Sequence, residues 1–243
     1  MILLEMNNRL CLLGKGDTGK TTYLQTLAYH YGGKLTNGTK AGNSFQPETT
    51  LTCRLDIKKP SGLLKLLKPT SMTVEIYDIP GEIFENLAQK DARRNEKLID
   101  LLKFVDGCII FVSEIHNTID TYNYYILETF TSLPAADNLP YCIVATKVER
   151  GELWPCRLDA EKDLFENLYP KTTALLRSRI PAKNLRFFAI SNFGILGQGD
   201  LRPNKVSKLV GNKYIEVLRD ASRWQPYNLL APLQWLASKK KHV

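Results

Sequence analysis

The sequence predicts an α/β fold, a doubly wound, mostly parallel sheet of six strands with helices on both faces. Three observations predict it. Strand-like and helix-like periods alternate along the chain. Two strand segments, "CIIFV" and "YCIVA", are apolar throughout, the pattern of parallel strands covered on both sides. The first strand also runs directly into a glycine-rich turn and then a helical pattern.

In chain order, strands are predicted at Arg9–Leu13, Leu51–Ile57, Met72–Tyr77, Gly107–Val112, Tyr141–Ala145 and Arg186–Ile190. Helices are predicted at Thr21–Tyr31, roughly Asn95–Val105, Thr118–Leu133, Asp159–Leu168 and Thr173–Ile180. Leu98, Leu101, Leu102 and Val105 form an i, i+3, i+4, i+7 stripe, which places one face of their helix against the core. In such sheets ligands sit beyond the carboxyl ends of the strands. One domain is expected over 1–243, with an irregular extension over about 193–243. There "FGILGQGDLRPNKVSKLVGNKY" has no strong period and reads as a long loop. The end, "YNLLAPLQWLASKKK", reads as a terminal helix with Leu229, Leu230, Leu233, Trp235 and Leu236 available for packing. The segment 58–71, "KKPSGLLKLLKPTS", reads as an amphipathic hairpin tip, either solvated or facing a partner or lipid.

Composition narrows the function classes. With 243 residues, 44% hydrophobic and 24% charged, the chain reads as an ordinary soluble globule. No apolar run approaches the ~18 residues of a membrane span, and "MILLEMNNRL" carries Glu5 and too short an apolar patch for a secretory signal. Five cysteines without a C-x-x-C spacing read as free thiols of a reducing, cytoplasmic protein. The three histidines are scattered, which gives no zinc pattern. The net charge of +8 comes from basic residues dispersed among acids, so no specific nucleic-acid surface is predicted. The basic tail Lys239–His242 reads as a solvated terminus.

The chemistry is concentrated in a few short strings. "GKGDTGKTTYL" matches G-x-x-x-x-G-K-[ST] at Gly14, Gly19, Lys20 and Thr21. Such a loop turns its backbone N–H groups toward an anion, and the following helix adds its positive N-terminal dipole. Gly14, Gly16, Asp17, Thr18, Gly19, Lys20, Thr21 and Thr22 are therefore the expected phosphate site, with Lys20 toward the outer phosphates and Thr21 on Mg2+. The third strand ends in "YDIPGE", a D-x-x-G string at Asp78 and Gly81. Asp78 is expected to hold the magnesium, usually through water, and Gly81 to let a backbone N–H approach the γ-phosphate.

With "ATKVE" after the fifth strand and "AISNFG" after the sixth, the chain resembles the TRAFAC-class P-loop GTPases. The resemblance implies a small-GTPase-like sheet that binds GTP and GDP and hydrolyses GTP. It places Thr146 and Lys147 against guanine, and Glu149 where the family has an aspartate that accepts from the guanine edge. Ser191, with Asn192, matches the family's base-supporting loop in its serine. The family's switch threonine falls in "NSFQPETTLTC", at Thr50 with Thr49 as the alternate, where it closes on magnesium. Glu82 follows Gly81 where a glutamine usually orients the attacking water; it is either catalytic or a surface acid. Lys20, Gly81 and Glu82 are thus the catalytic candidates. Within the class, "GKTTYL", "DIPGE" and "APLQWLA" resemble bacterial double-GTPase type proteins of conflict and defence systems.

The implied function is a slow GTP-hydrolysing switch that reports to a protein effector or activating partner. No arginine lies between Arg9 and Arg54, and Arg93 and Arg94 are the in-chain candidates for an arginine finger, also across a homodimer. Two alternatives stay open, a nucleotide-sensing scaffold with little hydrolysis and an ATPase of another P-loop class.

Overall fold

The computed structural model describes residues 6–37, 49–57, 70–85, 92–112, 117–133 and 139–239. In chain order the sheet-forming half consists of β1 (Met6–Leu13), α1 (Lys20–Tyr31), β2 (Lys34–Asn37), β3 (Thr49–Ile57) and β4 (Thr70–Asp78). There follow α2 (Gly81–Glu85), α3 (Ala92–Phe104), β5 (Gly107–Val112), α4 (Asn117–Thr131) and β6 (Tyr141–Ala145). After α5 (Leu153–Cys156) and α6 (Pro170–Arg179), β7 (Leu185–Ala189) completes the sheet.

The sheet order is β2-β3-β4-β1-β5-β6-β7. The five strands from β4 to β7 are parallel, whereas β3 runs antiparallel to β4 and β2 antiparallel to β3. The α/β, mostly parallel architecture is as expected, but the sheet has seven strands rather than six. The extra strand, β2, has four residues and follows the α1 cap at Gly32, whose φ is +71°. Four residues are too few to carry a readable period.

Helices cover both faces because the strands alternate their burial between two cores. On one face, Cys11, Leu13, Ile110 and Ile143 pack with Leu98 and Leu102 of α3, Ile126 and Phe130 of α4 and Leu176 of α6. On the other, Leu10, Leu12, Phe111 and Val144 pack with Tyr23, Leu24 and Leu27 of α1. The thiols of Cys11, Cys108 and Cys142 are buried and free; Cys11 and Cys108 are register partners with sulfurs 3.1 Å apart.

One expectation is refined and one corrected. The segment expected to be helical at Asp159–Leu168 is helical from 160 to 168, but it is wound as a π-helix over Ala160–Glu166 and is entered from a 3-10 turn at Arg157–Asp159. Asp159 leaves the helical region (φ −126°, ψ 77°), and its side chain accepts the Lys162 N–H, so it restarts the helix as a cap. The extension after residue 193 is not irregular. It forms hairpin β8 (Ile195–Gly197) with β9 (Asp200–Pro203) and hairpin β10 (Lys205–Val210) with β11 (Lys213–Leu218). The expected terminal helix is α7 (Ala231–Lys239), whose Leu233 and Leu236 pack on the α1 face of the sheet. Residues 58–69, 43–48 and 240–242, on which the hairpin-tip, switch-loop and basic-tail expectations partly fall, lie outside the described residues.

Candidate functional site

The chain leaves β1, builds β2, β3 and β4 on one side of it, and then places β5, β6 and β7 on the other. The order therefore reverses at β1, and the crevice for a ligand lies beyond the carboxyl ends of the strands beside it. Four of those ends carry predicted residues: Gly14 after β1, Asp78 ending β4, Thr146 after β6 and Ser191 after β7.

The Gly14–Thr21 loop depends on backbone conformations that side chains disfavour. Gly14 has φ +142°, and a Cβ there would lie 2.6 Å from the Phe111 carbonyl oxygen; Gly19 has φ +90°. Asp17 occupies the left-handed region at φ +59°, which aspartate tolerates better than most residues. Lys15, Gly16, Asp17 and Thr21 are exposed, Thr18 and Lys20 buried, and Thr22 half-buried. The Lys20 ammonium folds back into the loop, donating to the carbonyls of Gly14 at 2.8 Å and Lys15 at 3.1 Å. The Thr18 hydroxyl donates to the Lys15 carbonyl.

Two distant segments meet this loop. The Thr21 hydroxyl donates to Asp78 Oδ2 at 2.7 Å, and Asp78 is fully buried. Gly81 lies against Gly16: a Cβ on it would overlap the Gly16 nitrogen and stand 2.9 Å from the Lys15 carbonyl carbon. Glu82 is exposed in the first turn of the five-residue α2. Thr49 is the register partner of Asp78 and Thr50 that of Tyr77, so β3 begins beside the Asp78 end of β4.

The loops after β6 and β7 join from the other side. The Thr146 hydroxyl donates to the Thr18 carbonyl at 2.7 Å, which ties the two loops together. Asn192 is buried, with its side-chain nitrogen 3.6 Å from where a Gly19 Cβ would stand, and its Oδ1 accepts no hydrogen bond. Ser191 is fully buried, and its hydroxyl closes a turn by accepting the Gly194 N–H. Lys147 is half-buried at φ +59°. A cavity of about 670 Å³, lined by Thr146, Lys147, Arg150, Leu153, Cys156 and Asp163 among others, opens beside this loop.

Glu149 is brought less directly to the site. Its side chain is 1% exposed, and its ion partner is Lys205 of β10, 3.3 Å away. Neither carboxylate oxygen accepts a hydrogen bond, so the contact is a charge pair without hydrogen-bond geometry. Lys205 is the residue that sequence reasoning missed, since nothing local to "NKVSKL" marks it as a neighbour of Glu149.

Among the described residues no three His, Cys, Asp or Glu side chains cluster as an all-protein metal cage. Thr21 and Asp78 fit magnesium differently, as the one or two protein oxygens that it takes alongside phosphates and water. No described helix is long and apolar enough to cross a membrane. No family model matches the chain, and no curated protein matches it.

Proposed function

We propose that the chain binds GTP and GDP with magnesium at the Gly14–Thr21 loop, hydrolyses GTP slowly, and passes its nucleotide state to a protein partner. On this reading it is a P-loop GTPase of the TRAFAC class, akin to double-GTPase type proteins of bacterial conflict systems. The observation that carries the reading is convergence: Thr21 bonds Asp78, and Gly81 packs on Gly16, at the end of β1 where the strand order reverses.

Each residue then has a role. Lys20 exchanges the Gly14 and Lys15 carbonyls for the outer phosphates, and Thr21 with Asp78 holds the metal. Magnesium bound there neutralises charge on the β- and γ-phosphates. Gly81 permits a backbone N–H to approach the γ-phosphate. On the base side, Thr146 fixes the loop, Lys147 lies along the base, and Glu149 and Asn192 offer acceptors that lack donors. Because Glu149 is sealed, a base reaches it only when its covering segments shift.

Competition binding of GTP, GDP and ATP with magnesium tests the assignment. Guanine nucleotides are expected to win by on the order of 10⁴-fold, since a site built to pair with one base leaves its polar groups unpaired with another. Equal affinity for ATP would remove the guanine assignment. A second reading, a nucleotide-sensing scaffold with little hydrolysis, is favoured by Glu82, whose carboxylate repels the γ-phosphate. Single-turnover measurement with magnesium separates the two.

A further inference from the structure

We propose that Lys205 is a specificity-determining residue of the base site, a counter-ion that neutralises Glu149 while leaving both of its oxygens able to accept from a nucleobase edge. The proposal rests on the nucleotide reading above. Lys205 is 10% exposed and stands 3.3 Å from Glu149 Oε1, yet neither Glu149 oxygen accepts a hydrogen bond. The ammonium donates instead to Glu216 Oε1 of β11, at 2.6 Å. Arg150 Nη2 lies 3.8 Å from the same Glu216 oxygen. Charges therefore alternate through Glu149, Lys205, Glu216 and Arg150 and sum to zero.

This arrangement meets two opposed requirements. A carboxylate buried without a compensating charge is strongly unfavourable. A nucleobase edge brings dipolar N–H donors but no charge, so an acid beneath it needs a cation close by. A cation that hydrogen-bonded the carboxylate would compete with the base for the same lone pairs. Lys205, turned toward Glu216, supplies the charge and leaves the lone pairs. Guanine offers adjacent N1–H and N2 amino donors to such an acceptor pair, whereas the adenine edge presents an unprotonated N1 beside its amino group. Acceptor then faces acceptor, and adenine is rejected.

The lysine is held in place by its hairpin. Asn204, fully buried, donates to the Asp220 carbonyl and accepts the Asp220 N–H, both at 2.8 Å, which clamps the base of β10–β11. The C-terminal extension is thereby part of the nucleotide site.

The test is the affinity of GTP, inosine triphosphate and ATP, with magnesium, by competition against a fluorescent GTP analogue. The proteins are the full chain and its Lys205→Met, Lys205→Arg and Glu216→Gln variants, with thermal melts to check folding. Lys205→Met is expected to lose GTP affinity by about 10-fold or more, the scale of a hydrogen bond to a charged group, with ATP affinity unchanged. The preference for GTP over inosine triphosphate, which lacks the 2-amino donor, shrinks with it. Lys205→Arg restores most of the loss. Glu216→Gln also weakens GTP, because the amide keeps an acceptor but loses the charge that draws the ammonium away from Glu149, so the ammonium shifts toward Glu149. An unchanged GTP-to-ATP ratio in Lys205→Met, or equal losses for both nucleotides, would overturn the proposal. If that variant does not fold, an unchanged ratio in Glu216→Gln overturns it equally. A wild-type protein with no preference for GTP would instead defeat the base-reading role of Glu149 itself.

Discussion

The Thr21 hydroxyl donates to the buried Asp78 carboxylate at 2.7 Å, joining two strings that lie 57 residues apart in the chain. In the proposed nucleotide-bound state Thr21 and Asp78 would hold magnesium, Asp78 through water. Asp78→Asn keeps an acceptor for Thr21, so the fold should survive. Its magnesium dependence of GTP binding should weaken by about 10–100-fold, the usual cost of losing an outer-shell metal partner. Titrating magnesium at fixed GTP checks this, and an unshifted midpoint counts against the metal site.

The close packing at Gly81 and Gly14 gives a second prediction. In both Gly81→Ala and Gly14→Ala the added methyl meets backbone atoms, which cannot swing away. Each change should cost about 1–3 kcal/mol, the range of overpacking, and Gly14→Ala adds strain at φ +142°. Chemical denaturation of the two variants measures the cost. Wild-type stability in both would show that the loop contact is looser than described.

Much of this site is visible in the sequence because it is local. Gly14 to Thr21 is one continuous string, and Asp78 to Gly81 another, each at the end of an apolar strand. The strands β5 and β6 match their expected bounds, since an unbroken apolar run of that length has few other uses. The hairpin β10–β11 did carry a signal: Gly211-Asn212 stands between two six-residue runs, and Gly211 takes φ +61°. Its strands mix lysine, glutamate and exposed apolar residues, which hides the alternation of a half-buried strand. The Lys205–Glu149 pair has no local trace at all, because it forms only when the extension folds back beside the β6 loop.

His30 supplies a pH prediction. Its ring packs against Trp224, with centroids 4.5 Å apart, and the Trp224 indole donates to the Asn192 carbonyl at 2.8 Å. Partial burial lowers the His30 pKa from its usual 6.5. The unfolded chain therefore takes up this proton first as pH falls, so its stabilising contribution is complete above 6.5 and declines below it. Melting curves at about pH 7.5 and pH 5.5 should show a larger drop for wild type than for His30→Phe. Equal drops would remove His30 as the titrating group.

Catalytic rate is the fourth expectation. Arg93 and Arg94 lie in the first turn of α3, after the Gly81 segment. An arginine finger is worth about 10³–10⁵ in rate, and unaided switches turn over at about 10⁻⁴–10⁻³ per second. Dilute protein should hydrolyse GTP at about that slow rate and accelerate with concentration or with a partner. Arg93→Ala or Arg94→Ala should abolish any acceleration by self-association. Turnover near one per second from a monomer, unaffected by either change, would contradict the requirement for an outside group.

The central claim is that the Gly14–Thr21 loop binds a nucleoside triphosphate, with Lys20 as its cation. The most direct measurement is titration of a fluorescent GTP analogue, with magnesium, into wild type and Lys20→Ala. The Lys20 ammonium donates to the Gly14 and Lys15 carbonyls of its own loop, and circular dichroism and melting check that the variant folds. Saturable binding by wild type that Lys20→Ala abolishes is the predicted result. Wild-type affinity retained in folded Lys20→Ala, or no binding by either protein, would contradict it.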